Sequence, residues 1–211
     1  MDILVETHSK AYYDENGDYI LHQSLSNGDK LILLADGVGS LDYPELASNI
    51  VCNAINEYVS LNINNDIDVV RLLGASIEYA DTHLANTSKE LGSKMGVALT
   101  LIYIQRGVLF YSWLGDVRLY LQEGDGEITQ LTKDDVLEQD GQTYLTSHIS
   151  GRGFRNPVSI KQYPLSSGDI LLLCSDGFYR SHRIEESFTA TELTLDAPIY
   201  DDSSVIRISI R

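Results

Sequence analysis

Asp42 to Ser60 reads DYPELASNIVCNAINEYVS, and its periodicity decides the fold class. Leu46, Ala47, Ile50, Val51, Ala54, Ile55, Tyr58 and Val59 recur at three- and four-residue spacing, which predicts an amphipathic helix. Pro44 suits its first turn. A second helical stripe follows from about Asp66 to Leu91, through Val69, Leu72, Leu73, Ile77, Ala80 and Leu84, with Asp66 or Asp68 as its cap. No strand separates the two. Before them the chain reads as strands at DILVET, DYILHQ and KLILLAD, with SNGD a turn between the last two. After them come GVALTLIYI, VLFYSWLG, VRLYLQ, GEITQLT, PVSIKQYPL, DILLLCSD and SVIRISI, joined in part by hairpin turns at RG and GDG. Lys133 to Asn156 reads as polar and irregular. Strands, two consecutive helices and then strands again are not βαβ alternation. The pattern predicts an α+β fold of segregated helical and antiparallel layers, in one domain spanning residues 1–211.

Bulk properties narrow the function classes. A chain of 211 residues buries a sizeable core without staples. Its formal charge of −16 argues against nucleic acid and anionic membrane surfaces as partners, because both repel it. Cys52 and Cys174 sit in apolar surroundings, without histidine or cysteine at metal-ligand spacing. They read as free thiols of a reducing compartment rather than a disulfide or zinc site. The start MDILVETHSK lacks signal-peptide character, and no apolar run approaches a membrane span. A cytoplasmic location is expected.

The aspartates carry the chemistry. LILLADGVGS, Leu31 to Ser40, drives an apolar run into Asp36-Gly37, and DILLLCSDGFY repeats the arrangement at Asp176-Gly177. Asp18 precedes YIL, Asp116 sits between FYSWLG and VRLYL, and Asp201 and Asp202 precede the last strand. Any one of them fits a plain turn reading. Recurrence at strand ends favours convergence at one edge of the sheets, where carboxylates repel unless cations neutralise them. An all-oxygen set suits Mg²⁺ or Mn²⁺. Gly37 would leave its carbonyl unobstructed.

With these residues in hand, the sequence resembles the metal-dependent Ser/Thr protein phosphatases of the type 2C family, in bacterial form. LLADGVGS looks like the family's Asp-Gly-x-Gly-Gly segment, and MGVALTLIYI stands where the family has Met-Gly-Thr-Thr-Leu. WLGDVRLYL is similar to Val-Gly-Asp-Ser-Arg-x-Tyr, and LTKDD to Leu-Thr-x-Asp-His. LSSGDILLLCSDGFY matches Gly-Asp-x-Leu-Leu-Leu-x-Ser-Asp-Gly-Leu, and DDSSVIRISI resembles the terminal Asp-Asn-x-Thr strand. The ordered set covers nearly the whole chain. The resemblance implies a four-layer α-β-β-α sandwich, two central antiparallel sheets flanked by helices, with two or more Mn²⁺ or Mg²⁺ ions. It implies that Asp36 bridges two ions and that the Gly37 carbonyl joins one. Asp176 and Asp201 would complete the other, Asp18 would hold metal-bound waters, and Asp116 would serve a third metal. Asp36 and Asp176 are then the catalytic pair. A metal-bridging hydroxide would attack phosphorus in a phosphoserine or phosphothreonine protein, opposite a cognate Ser/Thr kinase.

Several positions depart from the family pattern. Tyr13 stands where the phosphate-gripping arginine is expected, and Gly17 replaces a glutamate before Asp18. Lys10 is the remaining candidate for the phosphate, as a point charge, and Asp14 or Glu15 align as alternatives to Asp18. Val97 and Ala98 replace two threonines, and Val38 fills the slot of a eukaryotic histidine acid. The stretch between Asp176 and Asp201 is short, with room for one brief helix and a loop. His8, His22, His83, His148 and His182 do not cluster, and only His148 invites a functional reading. Arg118 reads as a salt-bridge partner, and Arg152 and Arg155 as solvated or substrate-facing. These departures keep two alternatives open: a catalytically impaired pseudophosphatase acting as a protein-binding module, and a hydrolase of a small phosphorylated molecule.

Overall fold

A computed structural model describes residues 2–63 and 68–211. The chain opens with β1 (Ile3–Lys10), β2 (Asp18–Ser24) and β3 (Lys30–Gly37), then the helices α1 (Pro44–Asn62) and α2 (Val69–Leu91). It continues through β4 (Val97–Gln105), β5 (Val108–Leu114), β6 (Arg118–Gln122), β7 (Ile128–Gln130), β8 (Val136–Gln139), β9 (Gln142–Leu145), β10 (Lys161–Pro164) and β11 (Ile170–Cys174). The short helices α3 (Asp176–Tyr179) and α4 (Ile184–Thr189) lead to β12 (Ser203–Ile210). One antiparallel sheet has the order β1-β12-β11-β6-β7, and the other β10-β5-β4-β3-β2.

The two-residue period of a strand explains why LILLA is apolar throughout. Leu31, Leu33 and Ala35 pack outward against the helical stripe of Val51, Ile55, Leu73, Ile77 and Leu84. Ile32 and Leu34 face inward, onto Leu119, Leu121, Leu171, Leu173, Ile206 and Ile208 of the opposite sheet. On the far face, Leu172, Cys174 and Val205 lie under Phe178, Phe188 and Leu193. The layers are therefore helix, sheet, sheet and a thin helical cover. Among the described residues no helix is long and apolar enough to cross a membrane.

Local expectations need three corrections. The segment read as irregular holds the β8–β9 hairpin, whose strands are exposed on both faces and so show no apolar alternation. Its turn is Asp140-Gly141, both at positive φ, and that Asp-Gly pair was its only sequence signal. PVSIKQYPL narrows to Lys161–Pro164 because only that part pairs with β5. Two short helices, not one, fill the stretch after Asp176. One of the two candidate caps of the second helix is found in place: α2 begins at Val69, where the Asp68 side chain accepts from Arg71 N. The alternative cap Asp66 lies outside the described residues.

Candidate metal and phosphate site

Strand register builds the centre of the site. β2 and β3 pair so that Asp18 lies directly opposite Asp36, both at the sheet's edge. Like charges in that relation destabilise a sheet unless something neutralises them. From the other sheet, β11 leads into Ser175, whose Oγ donates to Asp18 Oδ2 at 2.7 Å across the sandwich. The next residue is Asp176, in the first turn of α3. Asp116 arrives on the β5–β6 connection, behind Gly115 at φ +104°.

The glycines explain how these ends come so close. A Cβ on Gly37 would drive into the Pro44 carbonyl at the start of α1, and one on Gly177 into the Asp202 carbonyl. Bare backbone at Gly177 thus lets α3 abut the segment carrying Asp201. Gly37 is needed for this packing as well as for the expected open carbonyl. Asp202 is occupied structurally: its two oxygens accept Tyr12 N and Gly17 N, both at 2.7 Å.

Asp36, Gly37, Asp116, Asp176 and Asp201 line one cleft of about 1240 Å³, together with Tyr13, Asp14, Glu15 and Arg180. Asp18 lies beside it, 5% exposed, and its Oδ1 is buried without a hydrogen-bond partner among the described residues. Burial, with the nearby charges of Asp202 and Asp176, pushes the Asp18 carboxyl up to about 7. Asp36 is raised well above its ordinary value by burial first, then by Asp18, Asp176, Asp116 and Asp201. Burial and Asp176 raise Asp116 to about 6, and burial also raises Asp201. Arg180 is the positive charge that partly offsets this at Asp116 and Asp201.

Among the described residues the cleft's one basic lining residue is Arg180, whose Nη1 lies 3.0 Å from Asp176 Oδ2. The sequence reading passed over it. Its signal was a cation four residues after the Asp-Gly aspartate, one helical turn away. Lys10 does not line the cleft, and its Nζ donates to the Leu195 carbonyl at 3.4 Å. Arg118 pairs with Asp134 at 2.7 Å, as a structural partner. His148 lines a neighbouring cavity instead.

Among the described residues, no three Asp, Glu, His or Cys side chains enclose an ion unaided. The donor chemistry nevertheless fits hard divalent cations, which accept carboxylates supplemented by waters and carbonyls. The orphaned, buried Asp18 Oδ1 is a polar atom that such an ion or its water shell would satisfy.

Comparison with known proteins agrees with this geometry. The protein phosphatase 2C family model matches residues 13–201, and the chain belongs to that family. Among its relatives is the serine/threonine protein phosphatase PstP of Mycobacterium tuberculosis, 28% identical over 176 residues. That match covers 73% of this chain but 32% of PstP, so the chain spans about a third of that relative's length. Protein phosphatase PhpP of Streptococcus pneumoniae is 25% identical over 98% of this chain and 89% of its own. The crystal structure of Mycobacterium tuberculosis PstP superposes with a TM-score of 0.84 at 22% identity, over 99% of both chains. A structure of the PstP catalytic domain contains two manganese ions.

Proposed function

We propose that this chain is a single phosphatase domain, residues 1–211, that hydrolyses phosphoserine and phosphothreonine in proteins with two or more Mn²⁺ or Mg²⁺ ions. The observation that carries the reading is the register-paired Asp18–Asp36 couple, Asp18 buried and Asp36 half-buried, at a cleft rich in carboxylates. Asp36, the Gly37 carbonyl, Asp176 and Asp201 would hold the ions, with Asp18 on their waters and Asp116 serving a further ion. When bound, the ions supply Lewis acidity that lowers the pKa of water and offsets phosphoryl charge.

The chain's own groups do the rest. Ser175 donates to Asp18 Oδ2 and so orients its free Oδ1. Asp202 clamps the Tyr12–Gly17 segment that forms one rim. Arg180 takes the substrate phosphate in place of the arginine replaced by Tyr13, since it is the cation lining the cleft. Its planar fork suits bidentate contact with phosphoryl oxygens. Buried thiols at Cys52 and Cys174 support a reducing, cytoplasmic setting, and a Ser/Thr kinase is the natural counterpart.

The Arg180–Asp176 ion pair also favours a second reading, an impaired phosphatase that acts through protein contacts, because it already neutralises a proposed ligand. One experiment separates them: hydrolysis of p-nitrophenyl phosphate and a phosphothreonine peptide with Mn²⁺, beside Asp36→Asn and Asp176→Asn. Turnover at least 100-fold above both variants is expected, on the scale of losing a main electrostatic contribution. Wild-type rates equal to the variants would leave only the second reading.

A further inference from the structure

Beside the acidic cleft lies a second cavity of about 590 Å³, with the opposite charge. Of the described residues lining the first, eight are Asp or Glu. Among the described residues the second has no acidic lining residue, and it carries Lys94, His148 and Arg152. In a chain with 31 acidic residues and 15 Lys and Arg, this separation departs from the surface as a whole. Val38, Ser40, Thr143 and Leu145 line both cavities, so they are two sides of one wall. The two cavities adjoin along that wall.

The cavity is built rather than casual. Asp81, buried on α2, accepts the backbone N–H groups of Ser150, Gly151 and Gly153 at 3.2, 2.7 and 2.7 Å. Gly151, at φ +71°, presses so closely on Ala85 that a Cβ would overlap it. Ile149 bridges Val97 of β4. Arg152 therefore rides on a stiff loop. Lys94 is tied through its backbone, with its N donating to Asp42 Oδ2 and its carbonyl accepting Asp42 N. Among the described residues neither Lys94 nor Arg152 forms an ion pair or a side-chain hydrogen bond. Two of the carbonyls that close α2, on Lys89 and Ser88, accept Gly92 N and Ser93 N. The Ser88 and Ser93 hydroxyls lining the cavity are buried without partners among the described residues.

We infer that this cavity is a docking subsite for an anionic side chain, phosphoryl or carboxylate, borne by the substrate protein near the phosphoresidue that enters the cleft. The inference rests on the phosphatase reading above. Arg152 offers a fork and Lys94 a compact charge, and together they counter the repulsion that the acidic surface exerts on such a segment.

The test is a set of phosphothreonine peptides carrying Ser, Asp or phosphoserine at each position up to four residues on either side. With Mn²⁺, wild-type kcat/KM rises about tenfold for an anionic residue on one side, the scale of a charge-assisted hydrogen bond. The Asp and phosphoserine arms distinguish a carboxylate from a phosphoryl ligand. The Lys94→Ala/Arg152→Ala double variant loses the preference, while its hydrolysis of p-nitrophenyl phosphate, too small to span both cavities, stays at the wild-type rate. A second readout needs no turnover: anisotropy of the labelled anionic peptide with a non-hydrolysable phosphonate in place of phosphothreonine, on wild type and the double variant. Weaker binding to the variant is expected. Failure of wild type to hydrolyse any substrate would count against the phosphatase reading alone, because anisotropy still reads the cavity. Equal treatment of all peptides by wild type, or a preference or affinity unchanged in the double variant, would overturn the subsite.

Discussion

Gly37 and Gly177 each follow an aspartate at the end of an apolar strand, and each lies against backbone with no room for a Cβ. In both cases the neighbour is a carbonyl on a main chain, which cannot swing aside as a flexible side chain would. Gly37→Ala and Gly177→Ala are each expected to lose about 3 kcal/mol of stability, the upper range for forced overpacking. Urea unfolding checks this, and a loss under 1 kcal/mol would mean that the backbone relaxes freely. At this scale the aspartates were legible, because a carboxylate closing an apolar run breaks the pattern of a buried strand. The glycines' packing role was not, since Pro44 and Asp202 become their neighbours only after folding. Arg180 escaped notice for the same reason: a cation near an acidic motif is ordinary until the rest of the cleft proves to lack one.

Helices α1 and α2 could be read from sequence because each has one apolar stripe and one solvated face. The β8–β9 hairpin could not be read by pattern, since neither face is buried. Yet it supplies Thr143 and Leu145 to the wall between the two cavities. The connection between α2 and the loop carrying Arg152 is also an element-scale feature. Asp81→Ala removes the acceptor of three backbone donors and should cost about 3 kcal/mol, a sum of partly exposed groups left unpaired. In urea the midpoint should fall with an unchanged slope, because the same surface is exposed on unfolding. A midpoint within error of wild type would show that water replaces the carboxylate without cost.

The molecule is two sheets held face to face by an apolar core, with carboxylates gathered at one edge from both. Asp18 binds its proton more tightly when folded, with its carboxyl raised from 3.8 to about 7, and Asp116 is raised to about 6. Stability from these groups is therefore full below about pH 4 and is lost as pH rises through 6 to 7. With chelator present, the Tm is expected to fall between about pH 4 and 7, and Asp18→Asn should flatten that slope. Mn²⁺ at a hundred times its Kd should add about 2.7 kcal/mol by mass action, most visibly at the higher pH. A Tm indifferent to Mn²⁺ at pH 8 would contradict a metal centre joining the sheets. By itself the sequence determined most of the elements, their antiparallel layering and the family, because periodicity and ordered motifs are local properties of a chain. Only the tertiary structure decided that Asp18 faces Asp36, that Arg180 is the cleft's cation and that a basic cavity shares its wall. Those facts depend on strand register and on backbone contacts between residues far apart in sequence, which no local pattern encodes.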